Sequence, residues 1–468
     1  MTDALHGLTA VLSERLWLPY DMFDAEEGDS LRRRLTVSVK GYQSDKPPTI
    51  IKSYEGDRAR RMVGVPIHYG LKLLQKQGVR VETLLSDGFQ IWCPKRPDPK
   101  HPSASPNQEI LMAKVVESAR GNVSTLIKAP TGAGKTVVAL NGIAELGKTA
   151  LVIVATKVLA RQWEREAILH LGLRPHDIGH VEGGKCSYEG KAIVIAVMVN
   201  LLRPWPALFY RYFGTVVWDE AHRLGAAGFS KTMGLFPARH RIALTATPTR
   251  RDGAEQLFLD YFGPPDVEEV SEALPAEVRV INRVTNLKAW KFLSLGQIIS
   301  RLTMDVSRNM DVVMLVKTLF KANRNVLVLS DRVAQLESLM QMSTEGDSPI
   351  PAAKMGLFVG HRTGSTPKSK VKVTEAELDE VRKSAQVVFS TYGMGKEGLD
   401  IQRLDAGIDA SPRADGVQAI GRIRRPMVGK PKPVWFTFRD KGIPPLVGFT
   451  TARLRNYAEA NVTIKDHA

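Results

Sequence analysis

The chain has 468 residues, of which 43% are hydrophobic and 24% are charged, and its formal net charge is +16. This length allows roughly two to four domains with cores of their own, and the composition excludes a chain dominated by disorder. The positive charge favours a polyanionic partner such as nucleic acid, and a basic surface that only keeps the protein dissolved is the alternative.

The two cysteines, Cys93 and Cys186, lie far apart and lack metal-type spacing, which argues against a disulfide framework and a zinc site. The first residues lack a basic start followed by an apolar core, and no apolar run approaches membrane-spanning length. We therefore expect a cytoplasmic protein without a membrane partner.

Residues 1–100 are predicted to form a small N-terminal α+β domain. Alternating segments at 34–40 and 79–85 indicate half-buried strands, and residues 65–77 indicate a short helix. Two arginine clusters here either contact phosphates or form a solvated face: Arg32, Arg33, Arg34, Arg58, Arg60 and Arg61. The proline-rich stretch 94–106 is typical of a linker, which places the first domain boundary near residue 100.

From residue 124 onward, short apolar runs alternate with helical or loop stretches. The first series of runs lies at 124–128, 150–155, 192–197, 215–218 and 242–245, and the second lies at 277–282, 325–330, 356–360, 386–390 and 434–438. Strands without polar alternation, separated by helices, point to parallel sheets covered on both faces. The sequence therefore predicts an α/β fold with two sheet domains in tandem, residues 101–263 and 264–468.

The stretch Ala129-Pro-Thr-Gly-Ala-Gly-Lys-Thr136 follows the first apolar run and opens a predicted helix, which is the context that a phosphate-binding loop requires. Lys135 would reach the β- and γ-phosphates of ATP, and the Thr136 hydroxyl would hold Mg²⁺. The usual pattern GxxxxGK[ST] begins with glycine, whereas Ala129 occupies that place here. A plain glycine-rich turn is the competing interpretation. The predicted cradle consists of Thr131, Gly132, Ala133, Gly134, Lys135 and Thr136.

The segment Trp218-Asp-Glu-Ala-His222 follows another apolar run, so its acids are expected at the sheet edge where ligands bind. Asp219 can hold Mg²⁺, and Glu220 can orient or deprotonate the water that attacks the γ-phosphorus. Acids that merely cap the next helix are the alternative. Farther on, Thr245 and Thr247 end a further run, with a spacing that lets both hydroxyls reach the same edge.

In the C-terminal half, Gln418-Ala-Ile-Gly-Arg-Ile-Arg-Arg425 places Arg422 and Arg425 three residues apart, and hence on one face of a predicted helix. Such arginines can act on a triphosphate from a second domain as arginine fingers. A basic helix face that binds DNA phosphates is the alternative, and it suits Arg424 best.

Together these motifs resemble those of the superfamily 2 helicases and translocases over residues 108–425. The segments that are similar to the XPB, RecG and phage UvsW branch are 155–163, 244–252, 395–400 and 418–422. The resemblance implies two RecA-like domains that bind ATP and Mg²⁺ between them. This sequence departs from the family pattern at Ala155, which stands where proline is usual.

The resemblance also implies roles for matching positions. In the ATP site, Gln108 would read the adenine, and the second domain would add Gly398, Asp400, Gln418, Arg422 and Arg425. The nucleic-acid strand would be contacted by Thr156, Arg161, Gln162 and Thr391. Hydrolysis would be coupled to domain movement by His222, Thr245 and Thr247.

By resemblance we expect an ATP-dependent DNA helicase that acts as a monomer on forks, junctions and single-strand/duplex boundaries, alongside recombination or replication proteins. The N-terminal domain would recognise the branch. Three alternatives stay open: an RNA helicase, the motor subunit of a restriction-type complex, and a nucleic-acid-binding module that does not hydrolyse ATP.

Overall fold

The computed structural model describes residues 8–39, 48–75, 78–100, 107–121, 123–129, 133–225, 228–246, 254–268, 273–285, 287, 289–363, 369–397, 399, 401–414, 416–460 and 462–467. The chain divides into two compact units, Met1–Ser271 and Glu272–Ala468.

The N-terminal part of the first unit is a small α+β layer. Its strands are β1 (Thr9–Leu12), β2 (Leu16–Pro19), β3 (Thr36–Val39), β4 (Thr49–Lys52), β5 (Glu55–Asp57), β6 (Met62–Val65) and β7 (Arg80–Thr83), and its helices are α1 (Ala25–Arg34) and α2 (Ile67–Leu74). Five strands form a sheet in the order β5-β6-β2-β1-β7, and β3 and β4 form a separate two-stranded sheet. Asp24 and Glu27 start α1 with a reciprocal capping box.

The rest of the first unit is an eight-stranded sheet in the order β11-β10-β12-β9-β13-β14-β8-β15. The strands are β8 (Ser124–Lys128), β9 (Ala150–Val154), β10 (Ile178–Glu182), β11 (Lys185–Cys186), β12 (Ile193–Val197), β13 (Thr215–Trp218), β14 (His240–Thr245) and β15 (Val267–Glu268). The helices are α3 (Gln108–Gly121), α4 (Lys135–Leu146), α5 (Lys157–Leu171), α6 (Ala207–Arg211) and α7 (Glu255–Phe262). All the pairings are parallel except that of β10 with β11.

The central strands of this sheet are apolar throughout, and their burial shows that the sheet is covered on both faces. All five residues of β9 and all five of β12 are buried, as expected for parallel strands between two helical layers. The N-terminal layer packs on α7, where Arg34 forms an ion pair of 3.0 Å with Asp260. The aromatic segment before β13 packs inward around buried Phe209.

The second unit is a seven-stranded parallel sheet in the order β18-β21-β17-β22-β23-β16-β24. Its strands are β16 (Glu277–Val284), β17 (Val326–Ser330), β18 (Met355–Phe358), β21 (Val387–Thr391), β22 (Ala406–Asp409), β23 (Val434–Lys441) and β24 (Thr463–His467), and β19 (His361–Thr363) and β20 (Lys370–Lys372) form a separate ribbon. The helices are α8 (Leu295–Thr303), α9 (Val306–Lys321), α10 (Val333–Ser343), α11 (Glu375–Ser384), α12 (Tyr392–Glu397), α13 (Val417–Ile423) and α14 (Pro444–Glu459).

The predicted fold class is confirmed: two RecA-like parallel-sheet domains and a small N-terminal α+β part. Each of the ten predicted apolar runs contains a strand. The β19–β20 ribbon, which pairs residues 361–363 with residues 370–372, lies outside the ten predicted runs. In the described part of the chain, no helix is both long and apolar enough to cross a membrane.

Candidate functional site

The candidate site begins where β8 leads into α4. Ala129 is buried after the strand, and Gly134 stands just before the helix with a left-handed φ of 77°. The Lys135 ammonium donates a hydrogen bond of 2.8 Å to the Ala129 carbonyl oxygen. Since φ at Ala129 is not positive, alanine fits the place where glycine is usual. Thr131 and Gly132 lie outside the described residues.

Gln108 lies against the end of this loop. It is the first residue of α3, and its side chain is only 2% exposed. A Cβ atom added to Gly134 would lie 2.5 Å from Gln108 Nε2. The approach of this amide and the left-handed backbone together require glycine at position 134. Ala133 is buried beside it, and Thr136 is half-buried in the first turn of α4.

Asp219 and Glu220 follow the carboxyl end of β13, which pairs with β9 and β14 in the middle of the sheet. The Asp219 carboxylate accepts two hydrogen bonds, one of 2.9 Å from the Glu220 backbone N–H and one of 2.8 Å from the Trp163 indole N–H. Glu220 has a φ of 53°, which costs about 1 to 3 kcal/mol for a residue with a Cβ. Strain of this size, held beside buried polar groups, is typical of a functional turn.

Burial raises the pKa of Asp219 to about 6, and the neighbouring Glu220 adds to the rise. The Trp163 hydrogen bond and the charge of Lys135 act in the opposite direction on this pKa. Lys135 is therefore close enough to Asp219 for the two charges to interact. Two acids held together at low exposure favour a cation beside them, and oxygen donors of Asp219 and Thr136 are of the type that Mg²⁺ prefers. The residues present thus fit Mg²⁺.

The predicted coupling residues have different surroundings. His222 Nδ1 lies 3.1 Å from the Glu220 carboxylate. Thr245 is buried at the end of β14, and its carbonyl oxygen accepts a hydrogen bond of 3.0 Å from the Ala129 N–H. This bond ties the strand end to the phosphate loop. Thr247 lies outside the described residues.

Sequence reasoning missed Trp163, which connects α5 with the acids. The indole is 1% exposed, and its donor reaches a carboxylate 56 positions away. The signal in the sequence is weak: a buried indole N–H needs an acceptor, but the identity of that acceptor depends on the strand order.

The residues predicted to contact nucleic acid in the first unit lie near the start of α5. The Thr156 hydroxyl accepts a hydrogen bond from the Leu159 N–H and so caps the helix. Arg161 forms ion pairs of 3.2 Å with Glu164 and 3.6 Å with Glu182, and Gln162 is half-buried. Trp163 on the same helix contacts Asp219, so one helix joins this surface to the acids.

In the second unit, the prediction that Arg422 and Arg425 lie on one helical face is wrong. Helix α13 ends at Ile423, so Arg425 follows the helix and does not share a helical face with Arg422. Both arginines are nearly buried, at 8% and 9% exposure, and Arg422 donates a hydrogen bond of 3.1 Å to the Leu399 carbonyl oxygen.

Arg424 is not available for DNA phosphates in the way that its sequence suggests. Its guanidinium donates to the carbonyl oxygens of Leu274 (3.0 Å) and Ala460 (2.8 Å), which is a structural role. The hydroxyl of Thr391, at the end of β21, accepts a hydrogen bond of 3.4 Å from the Met394 N–H. Gln418 lies in the first turn of α13, its side chain is not among those described, and Gly398 and Asp400 lie outside the described residues.

Comparisons with known proteins give one family match and several relatives. The family "Type III restriction enzyme, res subunit" matches residues 102–250. The DNA 3'-5' helicase XPB of Mycobacterium tuberculosis is 28% identical over 320 residues, which cover 64% of this chain and 56% of that protein. A putative ATP-dependent RNA helicase of Acanthamoeba polyphaga mimivirus is 23% identical over 343 residues, which cover 70% of this chain and 62% of that protein. The chain therefore spans 56% to 62% of the length of these two relatives.

Two solved structures align with most of the chain. The DEAD-box helicase Mss116 bound to ssRNA and UDP-BeF has a TM-score of 0.54 at 16% identity, covering 79% of this chain and 76% of that chain. The crystal structure of T4 UvsW covers 98% of this chain and 99% of that chain at 17% identity, with a TM-score of 0.39. The similarity to Mss116 is one of fold alone. The TM-score of T4 UvsW is too low to add to that conclusion.

Proposed function

We propose that this chain is a superfamily 2 ATP-dependent DNA helicase or translocase that remodels forked or branched DNA, since residues 102–250 match the family "Type III restriction enzyme, res subunit" and proteins named as DNA 3'-5' helicases are similar to it. The proposal depends above all on one observation: the loop that carries Lys135 follows the carboxyl end of β8, the turn that carries Asp219 and Glu220 follows the carboxyl end of β13, and both strands are parallel neighbours of β14. Open α/β sheets bind their ligands at this edge. The net charge of +16 supports a polyanionic partner.

In this proposal the residues of the first unit divide the work of hydrolysis. Lys135 binds the β- and γ-phosphates, and its hydrogen bond to Ala129 holds the ammonium at the loop. Glu220 orients and deprotonates the attacking water, while His222 holds the Glu220 carboxylate in place. Thr136 and Asp219 would hold Mg²⁺, which when bound neutralises charge on the phosphates.

The second unit would complete the reaction. Arg422 and Arg425 would reach the same triphosphate, since guanidinium groups supply positive charge where the transition state needs it. Each unit would grip the strand, the first through Thr156, Arg161 and Gln162 and the second through Thr391. Closure on ATP and opening after hydrolysis would then move the protein along the strand.

Junction remodelling is the direct test. A synthetic four-way junction, a fork and a blunt duplex are incubated with ATP, and strand exchange is followed on a gel. We expect conversion of the junction and the fork by the wild type and none by Lys135→Ala. Lys148→Ala, at the opposite, amino edge of the same sheet, is the matched control and should keep the activity. Conversion by Lys135→Ala would contradict the proposal.

The role of Glu220 has a separate test. Glu220→Gln keeps the size of the side chain but removes the base, so phosphate release should fall to the background rate while nucleotide binding persists. Phosphate release at the wild-type rate would show that Glu220 is not the base.

An RNA helicase is the second candidate, because the mimiviral relative carries that name. ATPase stimulation by matched single-stranded DNA, single-stranded RNA, duplex and forked DNA separates the two. We expect the largest stimulation by forked DNA, and a larger stimulation by RNA would favour the second candidate.

We also propose that the N-terminal part, residues 1–100, recognises the branch. Its exposed Arg33 and Arg58 support this role, since neither makes an ion pair within the described ranges. The double variant Arg33→Ala/Arg58→Ala should bind a junction more weakly but a single strand normally. Equal weakening on both substrates would contradict this role.

A further inference from the structure

The ribbon formed by β19 and β20 stands apart from the main sheet of the second unit. His361 pairs with Lys372, Arg362 with Val371, and Thr363 with Lys370. All six of these residues are exposed. A two-stranded ribbon without a buried face contributes little to the core, so its presence calls for a different explanation.

The first strand of the ribbon is tied to two helices by acids. Arg362 forms an ion pair of 3.0 Å with Glu377 on α11. The Thr363 N–H and hydroxyl donate hydrogen bonds of 2.8 Å and 2.5 Å to the Glu337 carboxylate on α10. These bonds hold the ribbon against α10 and α11, and the Arg362 guanidinium neutralises Glu377, whereas Glu337 keeps its negative charge.

The second strand of the ribbon carries two lysines without an ion pair among the described residues. Lys370 and Lys372 make no ion pair with any residue that the structure describes. They are two positions apart on one strand, so they project from the same face about 7 Å from each other. His361 shares this face, because it pairs directly with Lys372. The result is an exposed pair of lysine charges on one face, and their spacing suits successive phosphates of an extended strand.

The ribbon leaves the sheet next to the predicted nucleic-acid contact of the second unit. Strands β18 and β21 are parallel neighbours, with Phe358 opposite Ser390. Thr391 follows Ser390, and the ribbon begins three residues after Phe358. Neighbouring strands lie about 4.8 Å apart, so both features emerge at the same carboxyl edge, side by side.

We propose that the β19–β20 ribbon binds the phosphates of single-stranded nucleic acid through Lys370 and Lys372, and so extends the contact made by Thr391. This inference rests on the proposed function. The lysines act as point charges without base contacts, so they hold any sequence and can be released at each step. Binding through them is therefore salt-dependent and independent of sequence.

The test compares two double variants that each remove two lysine charges from the full-length protein. Lys370→Ala/Lys372→Ala changes the ribbon. Lys354→Ala/Lys383→Ala is the control, because both residues are exposed next to the amino ends of β18 and β21. Binding of a fluorescent single-stranded oligonucleotide is measured by anisotropy over a range of KCl concentrations.

Each phosphate contact contributes about 0.7 to the slope of log K against log salt for a single strand. We therefore expect the slope of the ribbon variant to be smaller than that of the wild type by about 1.4, and the slope of the control to be unchanged. An unchanged slope in the ribbon variant would overturn the inference, as would an equal loss in the control, which would indicate diffuse attraction. Failure of the proposed function appears differently, as wild-type protein that binds the strand normally but hydrolyses no ATP.

Discussion

Two buried aspartates at corresponding places in the two parallel sheets have opposite surroundings. Asp219 follows β13 and accepts the Trp163 indole N–H at 2.8 Å, and Asp409 ends β22 and accepts the Trp435 indole N–H at 3.0 Å. Asp409 also accepts the Tyr392 hydroxyl at 2.9 Å.

The difference between the two sites is the neighbouring charge. The guanidinium of Arg453 lies 3.5 Å from the Asp409 carboxylate, and both side chains are 1% exposed. Next to Asp219, the carboxylate of Glu220 raises the pKa, and the charge of Lys135 lowers it to a smaller extent. A buried acid in contact with a buried cation is a structural pair, whereas two adjacent acids near a single lysine keep negative charge that a cation from outside can neutralise. This contrast predicts that removing charge at the two sites changes stability in opposite directions.

The largest effect is expected from breaking the structural pair. Arg453→Met leaves Asp409 charged and buried, which should lower the free energy of unfolding by about 4 kcal/mol. Urea unfolding followed by circular dichroism measures the loss. The double variant Asp409→Asn/Arg453→Met removes both charges and should recover a large part of it. Equal destabilisation of the single and double variants would mean that the ion pair is not the cause.

Neutralising Asp219 should raise the free energy of unfolding, in contrast to the loss expected for Arg453→Met. Its folded pKa of about 6 lies above its ordinary value of 3.8, so the folded state binds this proton more tightly than the unfolded state does. Below pH 4 the Asp219 side chain therefore does not lower the free energy of unfolding. The loss of this free energy grows as the pH rises to 6 and reaches about 3 kcal/mol above pH 6. Without Mg²⁺, Asp219→Asn should be more stable than the wild type at pH 7.5 and equally stable at pH 4. Lower stability of the variant at pH 7.5 would contradict the contrast.

The two indoles allow a matched comparison of function. Trp163→Phe removes a hydrogen bond to a charged acceptor, which is worth about 2 kcal/mol, and phosphate release should fall by roughly 30-fold if the transition state bears the whole loss. Trp435→Phe removes the equivalent bond to Asp409 and should lower stability but leave phosphate release within twofold. Similar losses of activity in both variants would show that the Trp163 effect is only structural.

The smallest effect concerns the phosphate loop. Gly134→Ala forces an alanine into a left-handed backbone and against Gln108, which should cost about 1 kcal/mol of stability and weaken nucleotide binding. Differential scanning calorimetry and fluorescent-nucleotide titration measure the two effects. Adding Gln108→Ala removes the side-chain contact but leaves the backbone strain, so stability should recover only in part. Full recovery would mean that the backbone at this position is not strained.

Much of the fold could be predicted because its parallel strands are short apolar runs. Ala150–Val154 is a clear example, since all five of its residues are buried. Strands β10 and β22 were missed because glycine, histidine or acid interrupts their apolar pattern. The β19–β20 ribbon was missed for a different reason: its residues face solvent, so no alternation of burial marks them, and the pairing is local.

The candidate site was predictable only where its chemistry follows a strand within a few residues. The spacing located Lys135 and Asp219, but the hydrogen bond from Trp163 depends on β9 and β13 being neighbours, which the sequence does not show. The burial of Gln108 likewise depends on the packing of α3 against α4. The prediction that Arg422 and Arg425 share a helical face is wrong, because α13 ends two residues before Arg425.

Strand β24 has a practical consequence for handling the protein. Its five residues pair along Glu277–Ile281 of β16, and Lys465 and Glu277 form an ion pair of 2.9 Å across the two strands. Trimming the chain before Thr463 would uncover a row of backbone donors and acceptors on which another molecule can assemble. Material shortened in this way should aggregate by strand addition, so an affinity tag belongs after this segment and not in its place.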